Sequence, residues 1–211
     1  DLKGPISSLL GLAYLAKLEV KDPQAMEYIE KQYRQVVRLN DIITGLINLT
    51  KLNHTGLKKE TIDFCKMVDD CIQSFTGFQN FKNISFKKNI DTSIDFRAEF
   101  VLINAILQNL IENAIKYARN DEPYVSINIS KTDNHVTIQI ADNGQGIAEE
   151  HQSKIFQIFY RATSDSDGSG LGLYILKRSV DILKGAIHVK SSENAGSVFT
   201  VTLPVPEEEN F

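Results

Sequence analysis

Along the first twenty residues, apolar positions fall at Leu2, Ile6, Leu9, Ala13, Ala16 and Val20, in alternating steps of four and three. That period predicts a helix with a coiled-coil-like seam. Lys21–Asp22–Pro23 interrupts it, and Pro23 suits the first turn of a second helix. The second helix repeats the seam at Met26, Ile29, Tyr33, Val36, Asn40, Ile43, Ile47 and Thr50. A further row, Leu39, Ile42, Leu46 and Leu49, widens the apolar face. Two helices joined by a short turn form an antiparallel hairpin, and this face is broader than one hairpin can bury. Pairing with a second copy into a four-helix bundle would cover it, and this is preferred to packing on the rest of the chain.

After Asn53–His54–Thr55–Gly56 the pattern changes to short strands and amphipathic helices. Strands are predicted over 60–64, 84–89, 124–130, 136–141, 186–191 and 197–203, and helices over 65–75, 98–118, 149–159 and 171–183. Asp133–Asn134 between two alternating runs is a hairpin signal. The division is therefore a helical hairpin (1–53), a linker (54–59), a second domain (60–206) and an acidic tail (207–211). The fold class is α+β, with a mixed sheet and helices on one face of the second domain.

Composition changes this picture little. With 42% hydrophobic and 24% charged residues the chain is an ordinary globular one. A net charge of −4 gives no pull toward nucleic acid. Cys65 and Cys71 lack metal-ligand spacing and read as buried thiols. No apolar run reaches the ~20 residues of a membrane span. A start at aspartate instead of methionine reads as a fragment, so anchoring through a preceding segment stays open.

The chemistry concentrates in four places. Asn109 and Asn113 lie four apart on one helix face, with Lys116 and Tyr117 a turn further on. Asparagine suits helix interiors poorly, so the pair is either a solvated stripe or a set of amide oxygens for a hard cation such as Mg²⁺. Asp142 ends a strand and opens Asp142–Asn143–Gly144–Gln145–Gly146–Ile147; it is a turn residue or a carboxylate acceptor. Phe156 and Phe159 read as packing aromatics, with Arg161 behind them. The loop 162–170 carries no apolar anchor and is expected to be a mobile lid. It runs into Gly168, Gly170, Leu171, Gly172 and Leu173, a glycine run that opens a helix and can face an anion. One acid and two glycine segments suggest a pocket for a polar ring and phosphates.

In chain order, Asn109-x-x-x-Asn113, Asp142-x-Gly-x-Gly146, Phe156-x-x-Phe159, Gly168-x-Gly170-x-Gly172 and the closing 196–204 segment resemble the nucleotide-binding boxes of sensor histidine kinases. These belong to the superfamily that also holds Hsp90, MutL and type II topoisomerase ATPases. The resemblance implies an ATP-binding α/β sandwich. Asn113 would hold Mg²⁺, with Asn109 beside it; Lys116 and Arg161 would approach phosphates. Asp142, with Gly144, Gly146 and Ile147, would meet adenine, and Tyr117, Phe159 and Thr200 would lie near the nucleoside. Gly168, Gly170, Leu171, Gly172 and Leu173 would form the phosphate end.

Asp1–Leu2–Lys3–Gly4–Pro5 is similar to the box that follows the phosphorylated histidine in the same family, so the acceptor would immediately precede Asp1. Asp1 would then orient that histidine or take its proton. His54, His135, His151 and His188 lack suitable surroundings, so this chain is expected to bind ATP without an acceptor of its own. Gly4 stands where relatives with phosphatase activity carry Thr or Asn. Asn109 stands where Hsp90-like ATPases carry a glutamate, and an amide cannot take a proton from water. Glu112, about 100° around the helix from Asn113, reads as a surface residue. The implied activity is phosphoryl transfer from ATP to histidine and on to a response-regulator receiver domain, with a homodimer through the hairpin, a cytoplasmic location and no nucleic-acid partner. An ATP-binding regulatory scaffold and a hydrolysing ATPase stay open as alternatives.

Overall fold

Two antiparallel helices lead into a sheet covered on one side. The structure, a computed structural model, describes residues 3–52, 58–78, 81–162 and 169–205. Asp1, His54, Gly168, the linker residues 53–57, the loop residues 163–168 and the tail 206–211 lie outside the described residues.

Helix α1 is Lys3–Glu19 and α2 is Pro23–Leu52. Asp22 Oδ1 accepts the Ala25 N–H (2.7 Å), capping α2 with Pro23 as its first residue. Ile6 is buried and the remaining described seam residues are mostly half-buried between the two helices. Leu9, Leu12, Leu15 and Leu18 on α1, and Tyr28 and Leu39 on α2, stay largely exposed. The expected broad apolar face is present. One part of it is covered by the second domain, contrary to the sequence reading: Ile42 packs with Leu102, Leu171 and Ile175. Gly45 is buried there, where an added Cβ would stand 2.5 Å from Leu171 Cδ1.

The second domain runs β1 (Lys59–Thr61), α3 (Phe64–Ser74), β2 (Ser85–Ile90), β3 (Arg97–Glu99), α4 (Phe100–Lys116), β4 (Tyr124–Lys131), β5 (His135–Asp142), α5 (Glu149–Gln152), α6 (Gly172–Ile182), β6 (Ala186–Ser192) and β7 (Gly196–Pro204). The five-stranded sheet has the order β2-β4-β5-β7-β6; β2 and β4 are parallel and the other neighbours antiparallel. It is a mixed sheet, as expected. Alternation decides its faces. Val125, Ile127, Ile129, Val136, Ile138, Ile140, Phe199, Val201 and Leu203 turn inward and are buried, while Asn128, Gln139 and Thr200 take the opposite face. Helices α3, α4 and α6 close the inner face through Met67, Val68, Ile106, Leu107, Leu110, Ile111, Leu176 and Val180.

Three element predictions fail for identifiable reasons. The strand expected over 60–64 stops at Thr61 because Asp63 caps α3, its Oδ1 accepting the Lys66 N–H (2.9 Å). The helix expected from 98 starts at Phe100 because β3 pairs with β1, Ala98 opposite Glu60. Val101, in the first turn of this helix, is 43% exposed. The helix expected over 149–159 ends at Gln152 and gives way to turns, with Lys154, Gln157 and Tyr160 N–H groups bonded three residues back. Of the two thiols, both free, only Cys71 is buried.

Leu107 is fully buried at the centre of this core. Leu107→Ala is expected to lower the unfolding free energy by about 2–5 kcal/mol, since transfer and cavity costs add. Urea unfolding followed by circular dichroism measures it.

Candidate functional site

Helix α4 has one side committed to the sheet, and its other side carries Asn109, Glu112, Asn113 and Lys116. All four line a cavity of about 460 Å³, a size suited to a small ligand. Tyr117, which caps the helix end, joins them, and Lys116 Nζ lies over its ring as a cation–π pair, 5.2 Å from the centroid. Asn109 Nδ2 donates to the Ala105 carbonyl (2.7 Å), and its Oδ1 stands 2.6 Å from where a Cβ at position 172 would be. Glycine at 172 is what lets α6 approach α4 so closely. Asn113 Nδ2 is buried without a hydrogen-bond partner. A buried amide left open in a cavity calls for a ligand atom, because leaving it unmade costs free energy.

The second wall is the turn after β5. Asp142 lines the cavity, and its Oδ1 accepts the Gly144 N–H (2.8 Å). Burial pushes its carboxyl above the ordinary value of 3.8, opposed by backbone N–H bonds from Gly144 and Ser197. Asn143 is buried as a structural tie: Oδ1 accepts from Tyr124 N–H and Nδ2 donates to the Glu122 carbonyl, both 2.9 Å. Gln145 N–H donates to the Tyr117 carbonyl (3.0 Å), which hangs the turn on the end of α4. Gly146 has φ 69°, and a Cβ there would meet the Ser192 carbonyl at 1.9 Å, so only glycine fits. Ile147 also lines the cavity, its N–H held by Ser191 Oγ (2.8 Å).

The third wall is Arg161, Gly170, Leu171, Gly172 and Leu173, at the start of α6. Leu171 is the N-cap residue and provides no side-chain cap, so the positive end of the helix dipole opens on the cavity.

Most of the residues singled out from sequence are thus brought together: Asn109, Asn113, Lys116, Tyr117, Asp142, Gly146, Ile147, Arg161, Gly170, Leu171, Gly172 and Leu173. Three are not on the cavity wall. Gly144 lies behind the Asp142 carboxylate. Phe159, with φ 63°, is 45% exposed, while Phe156 packs on the core. Thr200 is on the outward parity of β7, bonded from Gln139 Nε2 (3.4 Å), and its inward neighbours Ser197 and Phe199 line the cavity instead. Glu112, read as a surface residue, also lines it, as do Tyr160 and, from the hairpin, Asn40, Thr44 and Gly45. Strand parity and the three-residue step from Asn109 to Glu112 were the available signals.

For a hard divalent cation the donors are oxygen atoms of Asn113 and its neighbours Asn109 and Glu112. Among the described residues no cluster of three or more His, Cys, Asp or Glu forms an all-protein metal site. The set fits Mg²⁺ shared with ligand oxygens and water.

Comparison with known proteins gives the following. The family described as "Histidine kinase-, DNA gyrase B-, and HSP90-like ATPase" matches residues 100–207. The sensor histidine kinase YvrG of Bacillus subtilis is 32% identical over 213 residues, 95% of this chain and 36% of the relative. The heme sensor protein HssS of Staphylococcus saprophyticus is 29% identical over 96% of this chain and 44% of its own length. The chain therefore spans less than half the length of these relatives. Among solved structures, full-length ShkA in complex with AMPPNP has a TM-score of 0.71 at 21% identity, covering 97% of this chain and 44% of that one.

The raised Asp142 carboxyl makes a signed prediction. The folded state takes up this proton more readily than the unfolded chain, so its stabilising effect is present at low pH and is lost as pH rises through the folded-state titration. Asp142→Asn removes that dependence. The stability of the parent relative to Asp142→Asn is expected to rise between pH 7 and pH about 4, read by urea unfolding at each pH.

Proposed function

The chain belongs to the histidine kinase-, DNA gyrase B- and HSP90-like ATPase family, and on that premise we propose that it is the catalytic core of a two-component sensor histidine kinase. The observation that carries this is the cavity itself. A buried carboxylate, a helix start without a side-chain cap, and amides and cations on the same wall suit a nucleoside triphosphate.

In this reading Asp142 accepts from the exocyclic amine of adenine, with Gly146, Ile147 and Ser197 around the ring. Lys116, Arg161 and the first turn of α6 receive the phosphates. Asn113, with Asn109 and Glu112 nearby, holds Mg²⁺, which when bound neutralises phosphate charge. Gly168 would extend the phosphate end. Positioning and electrostatics then supply most of the catalysis. The bond from the γ-phosphorus to the bridging oxygen breaks, ADP departs with that oxygen, and a histidine imidazole nitrogen forms the new P–N bond. The imidazole proton goes to Asp1, beside the acceptor. A receiver-domain aspartate takes the phosphoryl group next. Simple hydrolysis is disfavoured because Asn109 cannot serve as a base.

The exposed row Leu9, Leu12, Leu15 and Leu18 supports a homodimer through the hairpin. No helix among the described residues is long and apolar enough to cross a membrane.

Calorimetry with MgATP is expected to show binding. Asp142→Ala should weaken it about 10- to 100-fold, the effect of one hydrogen bond to a charged group, and Asn113→Ala should remove most of its Mg²⁺ dependence. The chain extended through the residue before Asp1 should take acid-labile label from ATP. Binding without label would make it a scaffold, and steady ATP turnover by the chain alone would make it a hydrolase.

A further inference from the structure

Three walls of the cavity belong to the second domain, and a fourth is brought by the hairpin. Asn40, Thr44 and Gly45 of α2 line the same cavity as Asn109, Asn113 and Lys116. Asn40 and Thr44 are four residues apart and so share one flank of the helix. Ile42 and Gly45, three apart, share the adjoining flank, and that flank is held. Ile42 packs with Leu102, Leu171 and Ile175. At position 45 a Cβ would stand 3.2 Å from Leu171 Cβ and 2.5 Å from its Cδ1, so glycine lets α2 come down onto Leu171. Seating that flank on Leu171 sets the rotation of α2, and the flank with Asn40 and Thr44 then turns to the cavity.

Leu171 also decides which part of the cavity α2 reaches. It is the N-cap residue of α6, between Gly170 and Gly172. Gly172 in turn abuts Asn109, whose Oδ1 stands 2.6 Å from where a Cβ at that position would be. Asn40 and Thr44 therefore border the cavity beside the helix start and the amides of α4. In the nucleotide reading this is the phosphate side, and Asp142, at the end of β5, is the adenine side. A nucleotide with its adenine at Asp142 carries its outermost phosphate farthest from that anchor, toward α2 and the start of α6. An amide N–H and a hydroxyl are donors that non-bridging phosphate oxygens accept, and bonds to a charged oxygen are the stronger kind.

We propose that Asn40 and Thr44 are ligand-contacting residues, through which the hairpin donates hydrogen bonds to the terminal phosphate of a nucleoside triphosphate. The proposal rests on the nucleotide reading of the cavity. It makes the seating of α2 and the binding of a triphosphate reciprocal: a seated α2 adds contacts, and a bound terminal phosphate holds α2 on Leu171. A diphosphate, one phosphate shorter, leaves these donors unused.

The test measures AMPPNP and ADP affinities of the whole chain with Mg²⁺ by calorimetry. Asn40→Ala and Thr44→Val are each expected to weaken AMPPNP about tenfold, the lower end for one hydrogen bond to a charged group. ADP affinity should be unchanged in both. Gly45→Leu, whose side chain would take the place of Leu171, should weaken AMPPNP at least as much. Adding Asn40→Ala to Gly45→Leu should then cost nothing further, because an unseated α2 no longer reaches the ligand. Unchanged AMPPNP binding in either single variant overturns that residue's role, and equal losses for AMPPNP and ADP overturn the terminal-phosphate contact; both leave the nucleotide reading intact. A full further loss from Asn40→Ala in the Gly45→Leu background overturns the link to seating. A parent chain that binds neither ligand overturns the nucleotide reading and this inference with it.

Discussion

The apolar face of the sheet has to be covered, and α4 is the element that covers most of it. Ile103, Ile106, Leu107, Leu110 and Ile111 are essentially solvent-free against the inward residues of β4, β5 and β7. At roughly 25 cal/mol per Å² of apolar surface removed from water, such burial dominates any polar preference on the same helix. It fixes the rotation of α4 about its axis. Once that rotation is set, Asn109, Glu112, Asn113 and Lys116, spaced at three and four, must share the remaining flank. The polar stripe faces the cavity because the apolar stripe has no other place to go.

How far an element can be read from sequence follows from how much of its pattern is its own. Elements with strong period were legible: α2, α4, β4, β5 and β7 fall within a few residues of expectation. The β1–β3 pair was not, since three-residue strands gain their meaning only from each other. Phe159 could not be placed from its spacing, because a positive φ in a run of turns obeys no helical period. Two positions carry a signal of their own. Phe199, Val201 and Leu203 declare the inward parity of β7, so Thr200 had to point away and Ser197 inward. Glu112 has its neighbour across the helical turn in Asn109, three residues back, and shares that flank.

The walls of the cavity differ in how they are held. The Asp142 end is pinned by backbone and side-chain bonds from three sides: the end of α4 through Tyr117 and Gln145, the start of β4 through Asn143, and β6 through Ser191. These bonds pre-form the surroundings of Asp142, which suits recognition of a rigid, planar group. The opposite end is made of the start of α6 together with Tyr160 and Arg161, Tyr160 being packed on the core and bonded to His151.

Leu171 joins these ends to the hairpin. It sits between Gly170 and Gly172, is 1% exposed, and packs with Ile42 of α2 as well as with Leu102 and Ile175. Helix α2 approaches because Gly45 offers no side chain at the contact. The helix that would carry a dimer seam along one side therefore also supplies Asn40 and Thr44 to the cavity wall, one turn apart on the same face. Leu171 is held by α2 through Ile42 and by α4 and α6 through Leu102 and Ile175. Seating of α2 and the shape of the glycine segment are thus one packing problem, and the small residue at 45 is its solution.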